Sequence, residues 1–129
     1  MKKSNQPLYL LLLLPFLIGF IYWDTLGYDF LVNYDDDVLI FKSLYVTNFS
    51  WSLLPELFSS FIEGLYHPLT TLTWAVDWNL GGGDATVFHI TNLLFHLFNS
   101  LLVFQFIKHI GKHTEVAVIC ALFFAVSPV

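Results

Sequence analysis

Residues 88–107 run for twenty positions without an Asp, Glu, Lys or Arg, and the run is closed by Lys108, His109, Lys112 and His113. A helix of that length reaches across the ~30 Å hydrocarbon core of a bilayer at ~1.5 Å per residue, so a membrane span is the first structure this stretch predicts. Two further apolar runs accompany it. Residues 7–23 carry no charge over seventeen positions and follow Lys2 and Lys3, and residues 116–129 are uncharged throughout. Charged residues make up 12% of the 129 and hydrophobic ones 57%, whereas soluble domains carry roughly 25% charge.

A positive start followed by an apolar run also matches a secretory signal. Tyr22-Trp23-Asp24 offers no small-x-small cleavage site, so an uncleaved first span, kinked at Pro15, is the expectation. Lys2 and Lys3 before that span, and Lys108 and Lys112 between the second and third, belong on the cytoplasmic side by the positive-inside rule. The intervening segment then faces the periplasm or lumen. It holds nine carboxylates (Asp24, Asp29, Asp35, Asp36, Asp37, Glu56, Glu63, Asp77 and Asp84) against Lys42 alone. The predicted fold is an all-α membrane protein with three transmembrane helices and a long extracytoplasmic loop. Its order is a cytoplasmic N-terminus 1–6, helix 7–23, loop 24–87, helix 88–107, cytoplasmic loop 108–115 and helix 116–129.

A loop of 64 residues is long enough to carry structure of its own. Leu53, Leu54, Leu57, Phe58, Phe61, Ile62 and Leu65 recur at helical spacing with Glu56, Ser59, Ser60 and Glu63 opposite, which predicts an amphipathic helix. A second helix starts at Pro68, carries Leu69, Leu72, Val76 and Leu80 with Trp74 and Trp78, and stops at Gly81-Gly82-Gly83. Both suit the membrane interface, and both would equally serve as core helices of a small extracytoplasmic domain.

The net charge of −5, with five Lys and no Arg, is a poor basis for holding phosphodiester backbones and argues against nucleic-acid binding. Cys120 stands alone, which precludes an intrachain disulfide.

Three constellations could carry chemistry. Asn33-Tyr34-Asp35-Asp36-Asp37-Val38 sets three carboxylates side by side just beyond the first span. Crowded like charges raise at least one pKa, which suits acid/base work or a divalent cation, and the same run reads equally as a solvated acidic turn. Tyr66-His67-Pro68-Leu69 puts an imidazole at a helix start, where anions bind and where histidines also serve as simple caps. His89, Asn92, His96 and Asn99 share one face of the second span, a polar face that expects partner helices. His89 and His96 lie about 10 Å apart on that face, too far for one metal ion. Asn48-Phe49-Ser50 matches a glycosylation acceptor.

Taken in order, the first span, the stretch Phe30-Leu31-Val32-Asn33-Tyr34-Asp35-Asp36-Asp37-Val38, then Tyr66-His67-Pro68-Leu69-Thr70, then His89-Ile90-Thr91-Asn92-Leu93-Leu94-Phe95-His96-Leu97-Phe98-Asn99, and Leu122-Phe123-Phe124-Ala125-Val126-Ser127-Pro128 form an ordered set. That set resembles the N-terminal part of the polytopic glycosyltransferases of superfamily C (GT-C). The resemblance is to the members that carry tetratricopeptide repeats and are related to protein O-mannosyltransferases, and it covers the chain from Asp24 onward.

The resemblance implies a membrane enzyme that moves a mannose-like sugar from a dolichyl- or undecaprenyl-phosphate carrier to a protein or glycan hydroxyl. The site would lie on the outer face of the bacterial inner membrane or the lumenal face of the endoplasmic reticulum. It implies that Asp36, supported by Asp37 and Asp35, is the catalytic base, and that His67 contacts the carrier phosphate. Family members continue into further spans and repeats, and the absence of Arg leaves other phosphate-binding groups to be found elsewhere. The expectation is therefore a front segment of a longer enzyme, inactive by itself. The alternative is a three-span binding or assembly subunit without catalysis.

Overall fold

The computed structural model describes residues 8–127, which are mostly helical and contain no strand. The expectations for residues 1–6, Pro7, Pro128 and Val129 fall outside the described residues. A 3-10 turn at Leu8–Leu12 leads into α1 (Leu13–Ile21), and a second 3-10 turn follows at Trp23–Gly27. Then come a π-helical turn at Asp37–Phe41, α2 (Leu44–Thr47), a 3-10 turn at Trp51–Leu53, α3 (Leu54–Leu57), α4 (Pro68–Gly81), α5 (Ala85–Gly111) and α6 (Thr114–Val126). Two compact units result, one built from Met1–Leu26 and Ile90–Val129, the other from Gly27–His89.

Among the described residues α5 is the one helix long and apolar enough to cross a membrane; Tyr9–Ile21 and Thr114–Val126 are shorter apolar helices. The first apolar run is therefore not a single seventeen-residue α-helix. Pro15 has no N–H for the carbonyl four residues earlier, which confines it to the first turn of an α-helix. The residues before that turn wind as 3-10 instead. Helix α6 ends at Val126 because Ser127 precedes a proline and takes an extended conformation (φ −73°, ψ 142°).

In the unit that holds α1 and α6, Leu14 and Ile18 of α1 pack with Ala125 of α6 and with Leu93, Leu97 and Leu101 of α5. Phe104 of α5 packs with Ala117, Val118 and Ala121 of α6. Ala117, Ala121 and Ala125 recur every fourth residue and are fully buried, so small side chains let the backbones approach closely. Large apolar side chains also face outward, among them Phe16, Phe20, Phe98, Leu102, Phe106 and Phe123.

The other unit is centred on Ile40, Val46 and Phe88, with Phe30, Trp74 and Trp78 against them, and α2 packs on α4. Phe30 meets both Phe41 and Phe88 edge-on at 5.1 Å, and Phe41 meets Trp78 at 5.7 Å, geometries that the ring quadrupoles favour. The sequence reads helix α4 almost to the residue. Pro68 opens it, and Gly82 at φ 62° closes it by donating its N–H to the Trp78 carbonyl. Asp84 then starts α5 by accepting the Thr86 N–H at 2.9 Å.

The amphipathic helix expected over 53–65 is broken after its first turn. The Ser59 and Ser60 hydroxyls bond the Pro55 and Glu56 carbonyls, local bonds that compete with helix continuation. Glu63 (φ 48°) and Gly64 (φ 77°) then form a tight turn, closed by reciprocal bonds between Ile62 and Leu65. Leu57 alone of this apolar set is fully buried; Phe61 and Leu65 are exposed.

Candidate functional site

The acidic run sits where a bend becomes the π-helical turn. Asn33 adopts φ 68°, reversing the chain so that Asp36 Oδ2 accepts the backbone N–H of Leu31 at 2.8 Å. Asparagine tolerates this left-handed conformation better than most residues, which is why the turn forms here. Asp37 Oδ2 is paired with Lys42 Nζ at 2.7 Å across one turn, and Asp35 is exposed. The three carboxylates are thus sorted rather than clustered: one held by backbone, one by a lysine, one in the open. No three His, Cys, Asp or Glu side chains gather into a metal-binding group among the described residues.

His67 caps α4 with its backbone, not its side chain. The Thr71 hydroxyl donates to the His67 carbonyl at 3.2 Å, leaving its lone pairs for His67 Nδ1 at 3.1 Å. Nδ1 therefore carries the proton in the neutral ring, an assignment that follows from the network. Nε2 is buried and has no hydrogen-bond partner among the described residues, while the ring lies edge-on to Trp74 at 5.7 Å. A cavity of about 450 Å³ opens beside it, lined by Phe58, Tyr66, His67, Pro68, Leu69 and Thr70. The N–H groups of Leu69 and Thr70 lack intrahelical acceptors by position, so this corner presents donors to an anion. Asp36 and His67 belong to the same unit but to separate hydrogen-bond networks.

The four polar residues of α5 do not act alike. His89 Nε2 donates to the Tyr28 carbonyl at 3.0 Å. His96 is 6% exposed, donates from Nε2 to the Ala125 carbonyl at 3.1 Å, stacks on Phe124 and meets Tyr22 edge-on. Ser100, fully buried, ties back to the His96 carbonyl, and the Tyr22 hydroxyl donates to the Ser127 carbonyl. The bonds to the Ala125 and Ser127 carbonyls serve acceptors that the end of α6 leaves without helical partners. Asn92 and Asn99 are exposed.

Asp84 is held below its ordinary pKa, chiefly by the hydrogen bond from the Thr86 backbone N–H. Sequence reasoning missed Lys42 as the partner of Asp37, because an α-helical register pairs residues three or four apart and these two, five apart, meet across a π-helical turn. No protein family, curated protein or solved structure matches the chain.

Proposed function

We propose that this chain is a membrane-embedded segment of a glycosyltransferase that takes a sugar from a polyprenyl-phosphate carrier and gives it to a protein or glycan hydroxyl. In this reading the apolar helices α1, α5 and α6 belong to the bilayer and residues 24–87 to the side opposite Lys2, Lys3, Lys108 and Lys112. The outward-facing Phe16, Phe20, Phe98, Leu102, Phe106 and Phe123 support this, since such a surface is costly in water and matched to lipid.

The observation that carries the catalytic reading is the orientation of Asp36. One of its oxygens is anchored by the Leu31 N–H, so the carboxylate is aimed before substrate arrives, while the neighbouring Asp37 charge is neutralised by Lys42. Asp36 takes the proton of the acceptor hydroxyl as that oxygen attacks the anomeric carbon. The bond between that carbon and the carrier phosphate oxygen breaks, and the phosphate departs with its electrons, inverting the sugar. The N–H groups at the start of α4, with the His67 ring beside them, hold the departing phosphate. Replacing Asp36→Asn in membranes that contain the protein should lower transfer from a polyprenyl-phosphate sugar by about 10²- to 10⁴-fold, the usual contribution of a general base. Full transfer activity in a variant that inserts normally would sink the assignment.

A second reading, an assembly subunit, is favoured by Asn92 and Asn99, whose exposed amides on a membrane-length helix call for hydrogen-bonding partner helices. Asn92→Leu with Asn99→Leu should release a co-purifying protein. If nothing co-purifies with the unmutated chain, that reading fails.

A further inference from the structure

Helix α5 has two unlike sides. Leu93, His96, Leu97, Leu101 and Phe104 are turned to α1 and α6. About half a turn round the helix, Asn92, Phe95, Asn99, Leu102 and Phe106 are all exposed. They recur at spacings of three, four, three and four, the heptad period that lays one helix against another in a left-handed coil. We propose that this stripe is the seam of a parallel homodimer, α5 against α5 of a second copy, with each asparagine paired to its own counterpart across the two-fold axis. The proposal rests on the bilayer placement of α5 given above and not on sugar transfer, and it names the partner that the assembly reading leaves open.

The amides select the occupant. His89 and His96 spend their ring nitrogens on carbonyls of this chain, whereas the Asn92 and Asn99 side chains have no hydrogen-bond partner among the described residues. Lipid tails offer an amide nothing to bond, and an unmatched amide in hydrocarbon is costly. A covering helix therefore has to bring a donor and an acceptor at two depths, one heptad apart. A second copy does so by construction. Chains inserted by one route share one orientation, so equal residues lie at equal depth, and a primary amide offers both N–H and C=O to its twin in a reciprocal pair.

Register and charge agree with this pairing. In a parallel two-stranded coil the residues of one heptad position meet their own counterparts, and asparagine at such a position fixes register. Asn92 and Asn99 occupy one position seven residues apart, and Phe95, Leu102 and Phe106 supply the apolar knobs between and beyond them. Like charges facing each other would oppose a symmetric pair, and residues 88–107 carry none. Lys108, just past the run, is drawn over the Phe104 ring at 5.2 Å, on the side of α5 that packs against α6. The two-fold pairing therefore brings no lysine onto the seam.

Single cysteines placed along α5 in a Cys120→Ser chain, oxidised in the membranes of the expressing cell, read which face meets which partner. Phe95→Cys, Leu102→Cys and Phe106→Cys should cross-link into a product of twice the chain's mass. Leu94→Cys and Gln105→Cys, exposed on the same helix about a quarter-turn away, should not. Energy transfer between differently tagged copies, in phosphatidylcholine vesicles holding the purified chain alone, then reads the affinity. Asn92→Leu and Asn99→Leu should each weaken association by about 3- to 30-fold, the worth of interhelical side-chain bonds in lipid, and Asn99→Gln, which keeps a donor and an acceptor, should retain most of it. Both asparagines are exposed, so circular dichroism should be unchanged in these variants. The proposal is overturned if the inserted chain stays monomeric, if the cross-linked product has any other mass, if Leu94→Cys and Gln105→Cys cross-link as readily as the seam positions, or if the leucine variants associate as tightly as the unmutated chain. No sugar donor is present, so none of these outcomes bears on transfer, and a chain left outside the bilayer would overturn the placement of α5 together with the dimer.

Discussion

His96→Leu isolates what a buried imidazole contributes to helix packing. His96 is 6% exposed, and its Nε2–H reaches the fully buried Ala125, whose carbonyl lies in the last turn of α6 and has no helical donor. Leucine fills a similar volume, so the change removes the hydrogen bond with little cavity. The Ala125 carbonyl is then left in an apolar surround. That omission costs about 1–3 kcal/mol in water-soluble proteins, while interhelical bonds in membrane proteins average nearer 0.6. About 1 kcal/mol is therefore expected, a roughly fivefold drop in the folded-to-unfolded ratio. Denaturation of the chain in mixed detergent, followed by circular dichroism, reads the shift. Hydrogen exchange should quicken at the end of α6, around Phe124 and Ser127, and remain unchanged at the start of the helix. His96→Gln, which keeps a donor, should recover part of the loss. Equal or greater stability in His96→Leu, with unchanged exchange at Ser127, would refute the claim that the imidazole caps α6.

Three further outcomes follow from local geometry. Because Asp84 is held below its ordinary pKa by the Thr86 N–H, its cap strengthens the fold above the usual carboxylate range and is lost as pH falls through the depressed value; Asp84→Asn should flatten that part of the pH–stability profile. A methyl group at Gly81 would stand 2.6 Å from Val87 Cγ2 and 3.0 Å from its Cβ, so Gly81→Ala should destabilise the α4–α5 corner by about 1–3 kcal/mol in thermal unfolding, and adding Val87→Ala should relieve it. Translated into microsomes, the chain should acquire a glycan at the exposed Asn48 of Asn48-Phe49-Ser50, lost in Asn48→Gln; an unglycosylated chain that has inserted would contradict a lumenal Gly27–His89 unit.

The candidate site was legible in outline and not in its wiring. The acidic run, His67 and the polar stripe of α5 stand out because residue types and spacing announce them. Their division of labour does not: Asp36 turns to Leu31, Asp37 to Lys42, and His96 separates from Asn92 and Asn99, because each assignment depends on which neighbour the fold supplies. A cavity around Glu56 was invisible for the same reason. Its wall is drawn from residues spread between Lys42 and Glu63, and it exists only because the chain turns back at Glu63-Gly64.

The sequence by itself determined the helical class, the long apolar helix α5 and both ends of α4, since apolar run length, a proline at the first helical position and a glycine after the last act through bonds within a few residues. Tertiary structure decided the rest. The periodicity over 53–65 favours a helix, yet serine hydroxyls and a left-handed turn end it after Leu57, leaving Phe61 at the rim of a cavity. His89 and His96 found carbonyls 61 and 29 residues away, partners no local pattern names. A buried hydrogen-bonding group must be satisfied by whatever packing brings to it, and that choice is made only when the chain has folded.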